Sequence, residues 1–327
     1  MKVSINIPTY NQHEIIKNTV ESAINQTYQN IEINVCDDSN NDLTEQVLEE
    51  YKSLPNFNYV KNSNNLGRVK NYHKLLYEIS TGDWAVNLDG DDYFTDLNYI
   101  EEAVSLINKN KGLVMVCARH KALSPSLEIT AVTSKYDKKK ARDYYVFDGF
   151  KEFLPNVFEI GSGHLTSLYN RQLAIDIGAY NCDIITADSE TVLRLVLHGK
   201  VGFVNKFVAV WRQHETNASQ NSNIDEFISA FDCNDLVYNH GISLDLPKRE
   251  LLKWKKMMDF RHTLRLFGRI LYQNQPSYLD KFIEVIREKK ISKVRLITSP
   301  EMVYKSLYFL KKYPSKFTKV VKIFFGS

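Results

Sequence analysis

The sequence predicts an α/β fold, a doubly wound and mostly parallel sheet. Three observations predict it. Short β-rich runs alternate with longer stretches whose apolar residues recur at helical spacing. Alternation of this kind puts strands side by side in one direction, with helices covering them. Three of the strand-like runs also stop at polar clusters, and such sheets hold their ligands at the carboxyl ends of strands.

The elements follow in order. Residues 3–7 form the first strand, ended by Pro8. Ile15, Ile16, Thr19, Val20, Ala23 and Ile24 mark a helix. Residues 31–36 form the second strand, stopped by Asp37-Asp38-Ser39-Asn40-Asn41. Val47, Leu48 and Tyr51 mark a second helix, residues 57–60 a third strand and residues 69–79 a third helix. Residues 84–88 are the fourth strand, residues 100–107 a helix and residues 113–117 the fifth strand. Residues 119–148 are charged and irregular, with Lys138-Lys139-Lys140, and are predicted as a loop or an excursion. Residues 151–219 turn apolar again, with turn signals at Gly161-Ser162-Gly163 and Gly178. Beyond Pro247 the pattern is helical, with Arg261, Arg265 and Arg269 on one face. Trp254, Met258, Leu264, Phe267 and Leu271 lie near another face, as in an amphipathic basic helix. The predicted organisation is a folded domain over residues 1–220, in two halves of about 1–118 and 150–220, and a basic helical region over 221–327.

The 327 residues are 43% hydrophobic and 12% aromatic, ample for a core. The net charge of +3 hides an asymmetry. Residues 248–327 carry 20 basic and 6 acidic side chains, a net of +14, which leaves −11 on the rest. Two readings of this tail stand. Its apolar face packs against protein with the charges solvated, or it lies on an anionic membrane surface. Nucleic acid is not an expected partner, because no recognised module accompanies the charge. Cys36, Cys117, Cys182 and Cys233 are far apart in sequence, which argues against a zinc site or a disulfide framework. The start, MKVSINIPTYN, lacks the build of a signal peptide, and no apolar run is long enough for a membrane span. The expected location is the cytoplasm, with the inner face of the plasma membrane as the peripheral alternative.

The chemistry concentrates in Asp89-Gly90-Asp91-Asp92. Carboxylates this close repel one another unless water or a cation neutralises them. Mg²⁺ and Mn²⁺ take oxygen ligands of this kind. The plainer reading is an acidic turn that caps the next helix. Asp37 and Asp38 offer acceptors for a base or ribose, or else an Asx-turn. In Pro8-Thr9-Tyr10-Asn11, Tyr10 offers a flat face to a base, or the segment is simply a turn. Three polar strand ends on one sheet edge build one crevice suited to a nucleoside diphosphate. Neither G-x-G-x-x-G nor G-x-x-x-x-G-K-[ST] is present, so a metal has to supply the charge neutralisation.

The segment VSINIPTYNQHEIIKNTVESAINQTYQNIEINVCDDSNND, followed by NLGRVKNYHKLL and TGDWAVNLDGDDYF, resembles the inverting family 2 glycosyltransferases of bacterial cell-surface polysaccharide synthesis. The likeness covers about residues 2–220. It implies the GT-A fold, a three-layer sandwich, and a role for each matching position. Pro8, Tyr10 and Asp38 are expected at the base, with Asp37 beside them. Arg68 and Asn71 are expected to face the sugar nucleotide. Asp89-Gly90-Asp91 matches the family's DxD, with Asp91 the leading metal ligand and Asp89 towards the ribose and the metal; Asp92 receives no role. Ser39 stands where a glycine commonly follows the acid pair, a mild departure.

Gly161-Ser162-Gly163-His164-Leu165-Thr166-Ser167-Leu168-Tyr169-Asn170 matches the family's acceptor-side strand. The family's catalytic base falls within Thr186-Ala187-Asp188-Ser189-Glu190, usually in an acid pair. Ala187 replaces the first acid, which leaves Asp188 as base and Glu190 as the fallback. Trp211-Arg212-Gln213-His214, with Asn217 and Ser219, is the last motif. His214 is read as a metal or diphosphate contact, or as a structural histidine. The resemblance implies Mn²⁺ or Mg²⁺, a nucleoside-diphosphate sugar (UDP-sugar favoured) and a glycan or lipid-linked glycan acceptor. Two rivals stand beside it, a sugar-1-phosphate nucleotidyltransferase and a non-catalytic sugar-nucleotide-binding protein.

Overall fold

A computed structural model describes residues 1–132, 142–160, 163–215, 217, 223–272, 275–292, 295–296 and 298–312. The chain divides into two compact units. One comprises Met1–Asp183 and Ala187–Asn217, the other Ile184–Thr186 and Ala218–Ser327.

The first unit opens with β1 (Val3–Thr9), α1 (Ile16–Ile24), β2 (Ile31–Asp37), α2 (Leu43–Leu48), β3 (Phe57–Lys61), α3 (Arg68–Lys74), β4 (Trp84–Asn87), β5 (Tyr93–Phe94) and α4 (Tyr99–Lys109). It continues with β6 (Leu113–Leu123), β7 (Ile129–Ala131), β8 (Tyr144–Asp148), α5 (Val157–Ile160), β9 (Leu168–Asn170), α6 (Arg171–Asp176), α7 (Ala187–Leu195) and β10 (Lys200–Arg212). The sheet order is β3-β2-β1-β4-β9-β6-β10-β5. β1, β2, β3 and β4 are parallel, as are β6 and β10, while β9 runs antiparallel between β4 and β6. This is the mixed, mostly parallel α/β sheet that the alternating pattern predicts.

The alternation within β1 explains how the layers form. Val3, Ile5 and Ile7 enter one apolar core with Ile16 and Val20 of α1 and Ile100 and Ala103 of α4. Ser4 and Asn6 point the other way and are buried too. They survive there because their register partners on β2 answer them. Ser4 Oγ donates to Glu32 Oε1 at 2.6 Å, and Asn34 Nδ2 donates to Asn6 Oδ1 at 3.2 Å. Thr81 N and Oγ1 also donate to Glu32, and Lys2 pairs with it. Burial pushes the Glu32 carboxyl up, but these donors outweigh it and bring it down to about 2.

Two expectations are corrected. Pro8 does not end β1, which stays paired with β2 through Pro8 and Thr9, opposite Cys36 and Asp37. Residues 119–148 are not an irregular excursion throughout: β6 runs on to Leu123, β7 returns along it, and β8 pairs with β10. The polar residues in Ala118-Arg119-His120-Lys121 hid the alternation: His120 and Ala122 are buried, while Arg119, Lys121 and Leu123 between them are only partly so. Lys138, Lys139 and Lys140 lie outside the described residues, as do Gly161, Ser162 and Ser219. β10, a strand of 13 residues, shows no clean period in the sequence. Its register against β6 shifts at Val204/Phe207 and again at Phe207/Ala209, and such bulges break the two-residue repeat.

The second unit is helical: α8 (Ile224–Ser243), α9 (Lys248–Tyr272), α10 (Leu279–Glu288) and α11 (Pro300–Lys312). Asn223 and Glu226 form a capping box that starts α8 ahead of Pro247. Of the apolar stripe predicted on α9, Trp254, Met258, Leu264 and Phe267 are buried. Leu264 and Phe267 join Ile224, Phe231, Phe282 and Met302 in one core, so that part of the stripe is spent inside this unit. The side chain of Leu271 lies outside the described residues. Among the described residues no helix is long and apolar enough to cross a membrane.

Candidate functional site

The three polar strand ends meet through backbone hydrogen bonds at the carboxyl edge of β1, β2 and β4. Asp38 N donates to Thr9 O at 2.9 Å, and Gly90 N donates to Pro8 O at 3.0 Å. Gly90 has to be glycine here. A Cβ would lie 2.5 Å from Gln12 Oε1 and 2.8 Å from Thr9 Oγ1. The sequence Asp89-Gly90-Asp91 therefore lies directly against the end of β1. Tyr10, just beyond β1, is 49% exposed.

Asp37 and Asp38 are occupied from within. Asp37 is fully buried; Oδ1 accepts from Ser39 N and Oγ, and Oδ2 accepts from Tyr59 OH at 2.7 Å. Asp38 accepts from Asn62 Nδ2, from Leu66 N at 2.7 Å and from Gly67 N at 2.8 Å. Gly67 holds φ +85, a left-handed turn that a glycine makes freely, and α3 begins at the next residue. Asp38 thus fixes where Arg68 enters the site. Asn71 is buried and donates to Cys36 O at 2.9 Å, which locks α3 to β2.

Asp89, Asp91 and Asp92 converge, with one carboxylate oxygen from each within 4.8 Å of the others. Asp91 Oδ2 meets His214 Nε2 at 2.7 Å and Asn217 Nδ2 at 3.3 Å. Asn217 Oδ1 accepts from His214 N at 2.6 Å and so holds the histidine in place. Asp92 Oδ1 accepts from Arg212 N at 2.9 Å. The acidic loop is carried to β10 by β5, whose Tyr93 and Phe94 pair with Val210 and Ala209. Burial is the main cause that pushes the Asp92 carboxyl well above the usual carboxylate range, and Asp91 and Asp89 push it further. Burial raises Asp89 as well; Asp91 adds to this, while His164, Tyr72 and Arg68 pull it back. Three hard oxygen donors that converge so closely, two of them pushed up by burial and by one another, fit a divalent cation.

Four residues that the sequence reading missed complete the floor. Tyr72 OH donates to Asp89 Oδ1 at 2.6 Å. Its ring stacks on Tyr180 at 5.2 Å and meets His164 edge-on at 5.5 Å. Asn87 Nδ2 donates to Tyr180 OH at 2.7 Å, and His164 Nε2 lies 3.2 Å from the same hydroxyl. Tyr180 holds φ +61, an unfavoured conformation for a tyrosine and a kind that collects at functional sites. Tyr72 was legible: it lies four residues after Arg68 on one helical face. His164 and Tyr180 are single residues in unrelated segments, and nothing in the sequence joins them.

Arg68 lies over the Tyr72 ring at 5.7 Å. Burial works against its charge, but Tyr72, Asp188 and Asp89 outweigh that and hold its pKa above the usual value. Asp188, in the first turn of α7, is therefore within electrostatic reach of the Asp89 side of the site. Glu190 is elsewhere: it is buried and paired with Arg194, which in turn donates to Ile177 O and Gly178 O.

Known proteins resemble this chain in sequence and in fold. A chondroitin synthase of Pasteurella multocida is 23% identical over 255 residues, 72% of this chain and 26% of that protein. WfaP of Escherichia coli, a UDP-Glc:alpha-D-GlcNAc-diphosphoundecaprenol beta-1,3-glucosyltransferase, is 40% identical over 92 residues, 28% of this chain and 36% of that protein. The chain thus spans a minor part of the length of these relatives. Among solved structures, S. aureus TarS 1-349 in complex with UDP-GlcNAc matches with a TM-score of 0.67 at 16% identity, covering 99% of this chain and 89% of that one. The mannosyltransferase PcManGT from Pyrobaculum calidifontis, in complex with GDP-Man and Mn²⁺, matches at 0.53 and 12% identity, covering 98% and 84%. At such identities the structural likeness is one of fold. The family described as Glycosyl transferase family 2 matches residues 4–173, more than half of the 327. With the GT-A fold and the acidic strand end that β10 closes, this makes the chain a member of glycosyltransferase family 2.

Proposed function

We propose that the protein transfers a sugar from a nucleoside-diphosphate sugar, with UDP favoured, to a hydroxyl of a glycan or lipid-linked glycan, inverting the anomeric centre. The observation that carries this is the convergence of Asp89, Asp91 and Asp92 with His214 on Asp91. Asp91, Asp89 and His214 would hold Mn²⁺ or Mg²⁺. When bound there, a divalent cation neutralises the departing diphosphate. Tyr10 offers its face to the base, with Pro8 and Gly90 shaping the wall beside it. Asp37, Asp38 and Asn71 act on the donor through the loop they anchor. Arg68 faces the diphosphate, and Asp89 the ribose.

Asp188 is the general base. It takes the proton of the acceptor hydroxyl as that oxygen bonds to the anomeric carbon. The bond from that carbon to the diphosphate oxygen breaks in the same displacement, and the electron pair leaves with the diphosphate. Attack from the opposite face inverts the centre. WfaP, whose name gives a diphosphoundecaprenol acceptor, supports the lipid-linked class. The charge of residues 248–327 favours an anionic membrane surface. On α11, Met302 is buried while Tyr304 and Leu307 are 73% and 63% exposed, which supports the same reading.

A panel of UDP- and GDP-sugars with Mn²⁺ tests this. Free nucleoside diphosphate without pyrophosphate is expected, and NMR of the product should show the inverted anomer. Release of pyrophosphate, or retention of configuration, would overturn it.

A further inference from the structure

The hairpin that leaves the carboxyl end of β6 exposes large aliphatic side chains in a backbone that does not suit them. β6 turns through Pro125-Ser126-Leu127 into β7, with Leu127 N donating to Ser124 O and Ser124 N to Glu128 O, each at 2.9 Å. This is a three-residue hairpin loop whose last residue is left-handed, a position that glycine fills without strain. Here it is Leu127, with φ +62. Its side chain is 79% exposed, and Ile129 beside it is 55% exposed. A single exposed leucine is ordinary. A leucine kept where glycine would relieve the backbone, with its side chain in water, gains nothing inside the fold.

The hairpin is rooted at the site. Gln213 N donates to Leu123 O at 2.8 Å, and the next residue, His214, contacts Asp91. The tip cannot be a stable interface by itself. A dimer needs about 1,200 Å² or more of buried surface, beyond two aliphatic side chains on a three-residue strand. Entry into lipid needs no such area. A diphosphate-linked lipid acceptor also brings its apolar chain and a bilayer edge to this end of the sheet.

We propose that the β6–β7 tip is a membrane-interface contact, with Leu127 and Ile129 entering the apolar edge of a bilayer beside the acidic cluster. This rests on the lipid-linked acceptor reading above. The tip's own charge is Glu128, so its contribution is apolar and persists in high salt. Charge attraction belongs to residues 248–327 and fades with salt.

The test uses the full chain with Leu127→Gly and Ile129→Thr, co-sedimented in high salt with phosphatidylcholine vesicles containing phosphatidylglycerol. Each variant should lose vesicle binding about tenfold, the size expected for burying one such side chain. Leu127→Gly should also unfold no earlier than wild type, since glycine relieves the turn. Equal vesicle binding by wild type and both variants would overturn the proposal. So would a wild-type dimer in light scattering that Leu127→Gly converts to monomer. Failure of the acceptor reading shows separately, as transfer to a soluble glycan but none to a lipid-linked one.

Discussion

The Tyr72 hydroxyl donates to Asp89 Oδ1 across 2.6 Å, and Arg68 from the same helix lies over the Tyr72 ring. One turn of α3 thus both orients an acid of the cluster and brings a cation towards it. The tyrosine is buried, so its hydroxyl has no water to fall back on. Burial first, and Asp89 second, push its pKa well above the usual value and keep the proton on the phenol. It is a positioning residue for Asp89.

Tyr72→Phe should lower the rate of sugar transfer roughly 10- to 100-fold, the range for partners that orient metal-site ligands. The fold should survive, because the ring stays stacked on Tyr180. Steady-state kinetics beside a thermal melt checks this. A rate within twofold of wild type would show that Asp89 needs no such anchor.

Asp91 and Asp92 should separate by substitution. Mn²⁺ should raise the unfolding midpoint of the wild type, as any ligand of the native state does. Asp91→Asn should abolish that rise. Asp92→Asn keeps an oxygen for Arg212 N and removes a buried charge that Asp91 and Asp89 oppose. It should melt higher without metal and still respond to Mn²⁺. Because burial raises Asp89 and Asp92 above the usual carboxylate range, protons compete with the cation. Apparent Mn²⁺ affinity should therefore weaken as pH falls through that raised range, which calorimetry at several pH values would measure.

Asp188→Asn should reduce transfer about 10²- to 10⁴-fold with little change in melting, as expected for loss of a general base. Glu190→Gln should do the reverse. It leaves Arg194 without its buried partner and should cost about 3 kcal/mol of stability. Paired melts and rates of both variants assign the base. A folded Asp188→Asn enzyme at wild-type rate would remove Asp188 from that role.

Glu32 gives the pH dependence a definite sign. Its folded pKa of about 2 lies below the usual 4.5, so its contribution is complete above pH 4.5 and is lost as pH falls through 2. The contribution is roughly 2–3 kcal/mol. Glu32→Gln should lower neutral-pH stability by about that much and flatten the acid limb of denaturation. An unchanged acid limb would mean that the Ser4, Thr81 and Lys2 contacts do not hold the carboxylate.

The first half of the chain was legible because its strands carry their signal locally. Val3, Ile5 and Ile7 alternate, although the strand runs on through Pro8 to Thr9, and Asp89-Gly90-Asp91 follows a strand within a few residues. The second half was less so. β10 is bulged, the end of β6 is charged, and Tyr180 reaches the floor from a turn between α6 and α7. What joins His164, Tyr180 and Tyr72 is a set of ring contacts between distant segments, and no spacing rule sees those. Asp37 shows the converse: its place beside the site was legible, but its burial was not, because that depends on Tyr59 of β3.

His214 reaches Asp91 from 123 positions further along the chain. Closing so long a loop is slow compared with pairing neighbouring strands. During synthesis, β1 to β4 and the whole acidic loop leave the ribosome well before β10 exists. A nascent chain would thus hold the acids without the histidine that completes them. On the function proposed above, cation capture would then mark the finished protein, and an interrupted product would have little means of consuming donor sugar.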